Sequence, residues 1–155
     1  MKKIVPYLLI PICSALSFWM GQQGQSQQSD LESQIMQADK VENLSEDWGK
    51  LILYTPENGT TTYGTRNTLT AVAIIDPGQE IHPPHEHAAE EFLYVVEGSG
   101  TWSLNGKEQA AQAGDMLYAK PWDIHGIKNT GSSPLTFFVV KWDNKGVPLP
   151  VKEGK

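Results

Sequence analysis

The distribution of hydrophobic and polar positions changes near residue 48. Beyond it, short apolar or threonine-rich runs are closed by Gly, Pro, Asn or Asp, which is typical of strands joined by turns. Asn105-Gly106 is a strong hairpin signal. The runs predict strands at 51–55, 60–65, 69–76, 92–97, 101–104, 107–111, 116–119, 124–129 and 135–142. Many short strands without a convincing helix indicate an all-β barrel or double-sheet sandwich.

The same pattern divides the chain into four parts. They are a signal peptide or N-terminal anchor (1–21), a polar linker (22–47), a β-barrel (48–147) and a tail (148–155). Leu31, Ile35 and Ala38 have helical spacing, so a short helix in the linker is an alternative to a simple tether.

The N-terminus has the features of an export signal. Lys2 and Lys3 precede a mostly apolar stretch, residues 4–20, which is followed by a polar one. This order is typical of a secretory signal peptide and predicts a periplasmic or secreted protein. The alternative is an uncleaved segment that tethers the protein to the membrane through residues 4–20, although this length is short for a span.

Charge and cysteine content narrow the chemistry. The 155-residue chain suggests one domain and has a net charge of −6 without a basic stripe, which argues against nucleic-acid binding. Cys13 is the only cysteine, so the β-barrel has neither a disulfide nor a thiolate ligand. Any metal site must therefore use His and carboxylate side chains.

A dense group of such side chains lies just before the fourth predicted strand. His85 and His87 are two residues apart, so on a strand both imidazoles point to the same face. Glu91 shares their parity if the strand is continuous, whereas Glu90 does not, and we therefore favour Glu91 as the carboxylate ligand. His125, which begins a later strand, is the one histidine outside this cluster. Three His and one carboxylate leave a divalent metal with open positions, as in catalytic or ligand-binding sites.

These residues resemble the first motif of the cupin superfamily. In HEHAAEEFLYVVEG, His85, His87, Glu91 and Gly98 have the motif's spacing, although Gly78 lies one residue too early. In GDMLYAKPWDIHGIKN, three residues match the second motif: Gly114, His125 and Asn129. There the motif's proline is displaced to Pro121, and Trp122 replaces its glycine.

The resemblance covers about residues 68–142 and has several implications. It implies a single double-stranded β-helix, or jelly-roll barrel, with a metal in its interior or mouth. His85, His87, Glu91 and His125 occupy the four family ligand positions. The family includes isomerases, lyases, dioxygenases and binding proteins, so fold alone does not determine the function.

Other residues are candidates for roles near the site. His82, Tyr118 and Glu90 are candidate proton-transfer groups; His82 could also be a fifth ligand, and Glu90 could instead orient a ligand imidazole. Trp102, Met116 and Trp122 are candidate pocket residues, with Trp122 as a lid, although ordinary core packing is the alternative for the first two. Arg66 and Lys141 could anchor an anionic substrate.

Two functions are compatible with this sequence. The first is an exported enzyme that uses one divalent metal ion (Mn, Fe, Zn or Ni) on a sugar, uronate or organic acid, by isomerase, lyase or dioxygenase chemistry. The alternative is a non-catalytic module that binds a small ligand or a metal. A homodimer is compatible with either function.

Overall fold

A computed structural model describes residues 30–55, 60–152 and 154. Within these ranges the fold is all-β, as predicted, without a helix. The strands are β1 (Glu42–Glu46), β2 (Gly49–Thr55), β3 (Thr65–Ile75), β4 (Glu90–Glu97), β5 (Ser99–Leu104), β6 (Lys107–Gln112), β7 (Met116–Ala119), β8 (His125–Lys128) and β9 (Leu135–Asn144). The Asn105-Gly106 hairpin is confirmed, since β5 and β6 pair up to Leu104 and Lys107.

Two antiparallel sheets face each other across the core. The larger sheet has the strand order β1-β2-β3-β9-β4-β7, and the smaller has the order β6-β5-β8. β9 lies between β3 and β4 and pairs with both, although β3 and β4 follow each other in the sequence.

The core follows the alternation of the longest strands. On β9, Leu135, Phe137 and Val139 are buried, and on β4 Leu93 and Val95 are buried with them. Each fully buried aliphatic or aromatic side chain contributes about 1.5–3 kcal/mol relative to exposure, which makes this inner face the main source of stability.

A buried asparagine joins the strands at one end of the barrel. Asn129 is fully buried, and its amide donates to the carbonyl oxygens of Ile75 and Ser133, each at 2.8 Å. Its Oδ1 accepts from the backbone N–H of Gly131 at 2.9 Å. The side chain thus connects the end of β8 with β3 and with the approach to β9.

The structure differs from the predicted elements at two places. β1 lies inside residues 22–47, which the sequence predicts to be a linker, and the helix considered at Leu31–Ala38 is absent from the described residues. All β1 side chains are exposed, so the strand has no apolar alternation to reveal it. The strand predicted at 60–65 is also wrong. Residues 60–64 form a turn held by bonds such as Thr62 N–H to the Thr65 carbonyl, and β3 begins only at Thr65.

The outer face of the larger sheet carries an apolar row. Val72, Phe138, Tyr94 and Met116 are successive partners across β3, β9, β4 and β7. Phe138 is 36%, Tyr94 39% and Met116 60% exposed. We name this row of four residues the outer apolar face.

The signal peptide or anchor predicted at residues 1–21 lies outside the described residues. Within the part of the chain that the structure does describe, no helix has the length and apolar character needed to cross a membrane.

Candidate metal centre

The ligand loop, residues 76–89, joins β3 to β4 and is held against β8. His85 and His125 exchange backbone hydrogen bonds of 3.0 and 2.9 Å, which form an isolated bridge between the loop and the first residue of β8. Pro83 and Pro84 restrict the backbone just before His85. A segment without regular structure is thereby held in one conformation beside the barrel.

Three imidazoles and a carboxylate converge on one point inside the barrel. One nitrogen each of His85, His87 and His125 lies within 4.8 Å of the others. Glu91 Oε2 lies 2.9 Å from His87 Nε2, and Glu91 Oε1 lies 3.5 Å from His125 Nε2. Glu91 is only 6% exposed and His125 only 1%, so these two side chains are shielded from bulk water.

The hydrogen-bond pattern of these side chains fits a metal ion. His87 and His125 each donate from Nδ1 to a backbone carbonyl, that of Ala89 at 3.0 Å and that of Asp123 at 2.8 Å. This tautomer leaves the Nε2 lone pairs directed to the centre. The buried His85 Nδ1 and His125 Nε2 have no hydrogen-bond partner among the described residues. Buried polar atoms of this kind cost about 1–3 kcal/mol each unless something binds them. Neutral imidazoles and a carboxylate suit a first-row divalent metal.

The local pKa shifts favour the ligand forms of two of these residues. Burial, assisted by the neighbouring His82 and His125, lowers the pKa of His85 to about 4, so this ring is neutral at pH 7. Burial alone would raise the pKa of Glu91, but the adjacent His125 and His87 rings outweigh it and lower that pKa to about 2. Burial opposes protonation of His125 as well, yet the contact with Glu91 raises its pKa overall.

The centre opens into a cavity of about 300 Å³. His85, Glu91 and His125 lie on its wall together with Lys141 and His82. The remaining wall is mostly apolar and consists of Leu51, Leu69, Ala71, Ile81, Leu93, Gly126, Ile127, Phe137 and Val139. Lys141 is the backbone partner of Glu91 across β9 and β4, so this lysine lines the cavity from a position next to a residue of the ligand cluster. The cavity therefore combines metal ligands, one cation and apolar walls on the scale of a small molecule.

His82, Glu90 and Tyr118, the candidate proton-transfer residues, lie in different surroundings. His82 is exposed at the cavity rim, with its ring centroid 4.0 Å from that of His85. Glu90 instead accepts a 2.7 Å hydrogen bond from the Tyr118 hydroxyl on the outside of the barrel. Tyr118 is 45% exposed. Glu90 and Tyr118 are absent from the cavity wall. Glu90 does not orient His87 or His125 either, because the Nδ1 atoms of these rings donate to backbone carbonyls.

The pocket candidates are not on the cavity wall either. Trp102 is 6% exposed and packs in the core, which agrees with the alternative considered for it in the sequence. Met116 is on the outer apolar face, because Leu117 and Ala119 are the inward residues of β7. Trp122 lies beside the ligand loop, and its backbone N–H donates to the His87 carbonyl at 2.8 Å.

Trp122 also explains the altered motif before His125. Its φ is 68°, in the left-handed region that glycine adopts freely and that costs another residue on the order of 1–3 kcal/mol. The backbone thus has the glycine conformation at the position where the motif has glycine, but with a large aromatic side chain.

The parity argument for His85, His87 and Glu91 required a continuous strand, and the structure does not have one there. β4 begins only at Glu90, so His87 lies in the loop and His85 only in the isolated bridge. Loop curvature, rather than strand alternation, brings their rings together.

The sequence did not predict that the Lys141 side chain lines the cavity. This residue has the same parity as the buried Phe137 and Val139 on β9. That alternation is the signal that could have directed it inward. Arg66, the other cation considered, instead donates to the Val147 carbonyl at 3.0 Å.

Comparison with known proteins agrees with this geometry. Residues 71–141 match the family described as the cupin domain. A gentisate 1,2-dioxygenase from Streptomyces sp. is 32% identical over 91 residues, which cover 58% of this chain and 24% of that protein. An oxalate-binding protein from Thermotoga maritima is 37% identical over 57 residues, covering 36% of this chain and 47% of that protein. This chain thus spans less than half the length of either curated relative.

A solved structure has the same architecture. It is described as a predicted oxalate decarboxylase from T. maritima and aligns with a TM-score of 0.54 and 23% identity, over 70% of this chain and 98% of that one. At this identity the likeness shows the fold alone.

Proposed function

Because this chain belongs to the cupin superfamily, we propose that it is a divalent-metal-dependent enzyme that acts on a small organic acid. The observation that carries the proposal is a pair of buried imidazole nitrogens, His85 Nδ1 and His125 Nε2, without a hydrogen-bond partner among the described residues. Both rings lie on the wall of a cavity that also contains Lys141. The pair indicates a cation in the centre, and Lys141 supplies a positive charge for a carboxylate.

The residues divide into three roles in this proposal. His85, His87, His125 and Glu91 would hold the metal, which would polarise a bound carboxylate or activate water or dioxygen. The Lys141 ammonium binds the substrate carboxylate, and the apolar walls exclude water and so strengthen that contact. His82, at the rim, exchanges a proton with solvent from a nitrogen that is not tied to the centre.

The named relatives support an organic acid over a neutral sugar. Gentisate and oxalate, which appear in the names of two relatives, are both small carboxylates. Lys141 is the type of residue that such a ligand requires, whereas a neutral sugar would need more hydrogen-bonding side chains than the mostly apolar wall provides.

The test combines metal content with turnover. The full-length protein is purified from its native compartment and analysed for Mn, Fe, Zn and Ni, and the metal-loaded protein is then assayed with oxalate, gentisate, a uronate and a hexose. We expect about one metal per chain and turnover of an acid. His125→Gln should reduce the metal content, whereas the surface variant Lys128→Gln should not. A native protein without any of these metals would refute the proposal.

A non-catalytic organic-acid binder is the second candidate. Apart from the four ligand residues, His82 and Lys141 are the ionisable side chains on the described cavity wall, so few groups are available to move protons. Tight oxalate binding without turnover of any acid, with the metal present, would favour this function.

We also propose that the protein is exported, because of the apolar segment that follows Lys2 and Lys3. Cell fractionation with and without residues 1–21 tests this, and mass spectrometry of the mature N-terminus separates a cleaved signal from an anchor. A full-length protein confined to the cytoplasm would contradict export.

A further inference from the structure

We propose that the C-terminal strap, residues 146–152, holds the ligand loop in place and so slows metal exchange, with Trp122 as its positioning residue. The inference rests on the proposed metal centre. It concerns a segment outside the barrel that contributes no ligand of its own.

The strap is attached to the loop region at two points. The Trp122 indole Nε1 donates to the Pro150 carbonyl at 2.8 Å. Lys152 forms an ion pair with Glu86, which lies between His85 and His87 in sequence. A third contact, from Arg66 to the Val147 carbonyl at 3.0 Å, fixes the start of the strap to β3.

Trp122 connects the strap directly to a ligand residue. Its backbone N–H holds the His87 carbonyl at 2.8 Å, while its side chain holds Pro150. Both donors are used while the Trp122 backbone has a left-handed φ of 68°. A glycine there would keep the His87 contact without strain but would lose the strap. The tryptophan therefore has a specific consequence for the metal centre.

In this proposal the strap detaches while the barrel stays folded. Strap residues 147–150 line a cavity of about 250 Å³ together with Ala88 and Glu90. Val147, Leu149 and Val151 are 53%, 48% and 86% exposed. A segment with so little apolar burial opens at low free energy, while the core remains folded. Opening would release Glu86 and the Trp122 side chain, and the loop carrying His85 and His87 would lose these supports.

The test measures the release of zinc. Full-length protein loaded with Zn²⁺ is mixed with excess EDTA, and the release rate is compared among Trp122→Phe, Lys152→Gln and a chain that ends at Val147. We expect each point variant to release Zn²⁺ about threefold to tenfold faster, since each loses one polar contact. The truncated chain should release it at least as fast as the faster point variant. Trp48→Phe and Lys40→Gln are matched controls, since they change an indole near the β1–β2 turn and an exposed Lys–Asp pair; both should release Zn²⁺ at the wild-type rate.

A double change separates the strap from a general packing effect. If Trp122 acts through Pro150, Trp122→Phe should have no further effect in the chain that ends at Val147. An equal acceleration in both backgrounds, or a wild-type release rate in the truncated chain, would overturn the proposal.

Hydrogen exchange keeps the strap testable if Zn²⁺ does not bind, in which case the metal proposal itself fails. In metal-free protein, truncation should speed exchange of the His85 and Trp122 amides, which bond to the His125 and His87 carbonyls. Unchanged exchange at both amides would then refute the strap.

Discussion

At the scale of the residue, Lys141 is the one lysine on the described cavity wall. It is a cation on a mostly apolar wall and pairs across the sheet with the ligand residue Glu91. In such surroundings an ammonium–carboxylate contact is worth more than in water, because the local dielectric is low. Lys141 should therefore affect which molecules bind without affecting whether the metal binds.

We expect Lys141→Gln to weaken oxalate binding about tenfold or more and to leave the metal content unchanged. Isothermal titration calorimetry with metal-loaded protein measures the first quantity, and elemental analysis measures the second. Lys141→Arg should recover part of the affinity, and Lys128→Gln, an exposed cation on β8, should bind like wild type. Equal affinities for wild type and Lys141→Gln would remove Lys141 from substrate binding.

His85 makes the metal-free protein sensitive to acid. Its pKa of about 4 lies below the ordinary value of 6.5, so the unfolded chain takes up this proton before the folded one does. The resulting stabilisation is fully present above pH 6.5 and is lost as the pH falls towards 4.

Between pH 7 and pH 5, the metal-free protein should lose about 1 kcal/mol more stability than His85→Gln, a value reduced because the ring is partly solvated. Urea unfolding in EDTA at the two pH values measures this difference. Lys128→Gln, which changes an exposed side chain on β8, should behave like wild type. An identical loss in the His85 variant would show that this ring is not the sensitive group.

At the scale of the element, the end of β8 depends on one buried side chain. Asn129 connects three segments through its amide and Oδ1. Removing it leaves the buried carbonyl of Ile75 and the carbonyl of Ser133 without this donor.

Asn129→Ala should lower the free energy of unfolding by about 2–4 kcal/mol, from lost hydrogen bonds and the space left behind. Denaturant unfolding measures it, with the exposed Asn43→Ala as the control of equal chemistry. A loss below about 0.5 kcal/mol would mean that water or a local shift replaces the amide.

The elements that the sequence predicts well are those with one buried face. The alternation in β9 and the Asn105-Gly106 turn are sufficient to locate their strands. β1 escapes prediction because its exposed residues carry no alternation. The inward direction predicted for Met116 is wrong because a four-residue strand gives its direction only when the neighbouring strands are known.

The same limits apply to the candidate site. Spacing alone identifies the His and Glu residues that converge, but the loop that carries His85 and His87 has no period from which to derive their direction. The position of Lys141 follows from β9 once that strand is known to be central, which is a property of the topology and not of the local sequence.

At the scale of the whole molecule, the outer apolar face bears on the homodimer. Val72, Phe138, Tyr94 and Met116 form an uncharged row across four strands, although the chain has a net charge of −6. In a two-fold contact the same patch meets itself, so a face without charges avoids like-charge repulsion. A second copy of this chain is therefore the occupant that we expect on this face.

The full-length protein should have the mass of a dimer by light scattering after size-exclusion chromatography. Tyr94→Lys should convert it to a monomer, because it would place two buried ammonium groups in the interface. Gln109→Lys, on the exposed side of β6, adds the same charge elsewhere and should remain dimeric. A wild-type monomer at micromolar concentration would contradict this assembly.

The central position of β9 in the larger sheet affects how the barrel folds during synthesis. β3 and β4 each pair with β9, yet β9 follows both of them by tens of residues. During synthesis, β3 and β4 therefore each have one unpaired edge until the chain has emerged from the ribosome to about residue 144. Pairings of this range form slowly, and open edges invite contacts with other chains. Nascent chains of this protein should accordingly be clients of a chaperone until β9 is inserted.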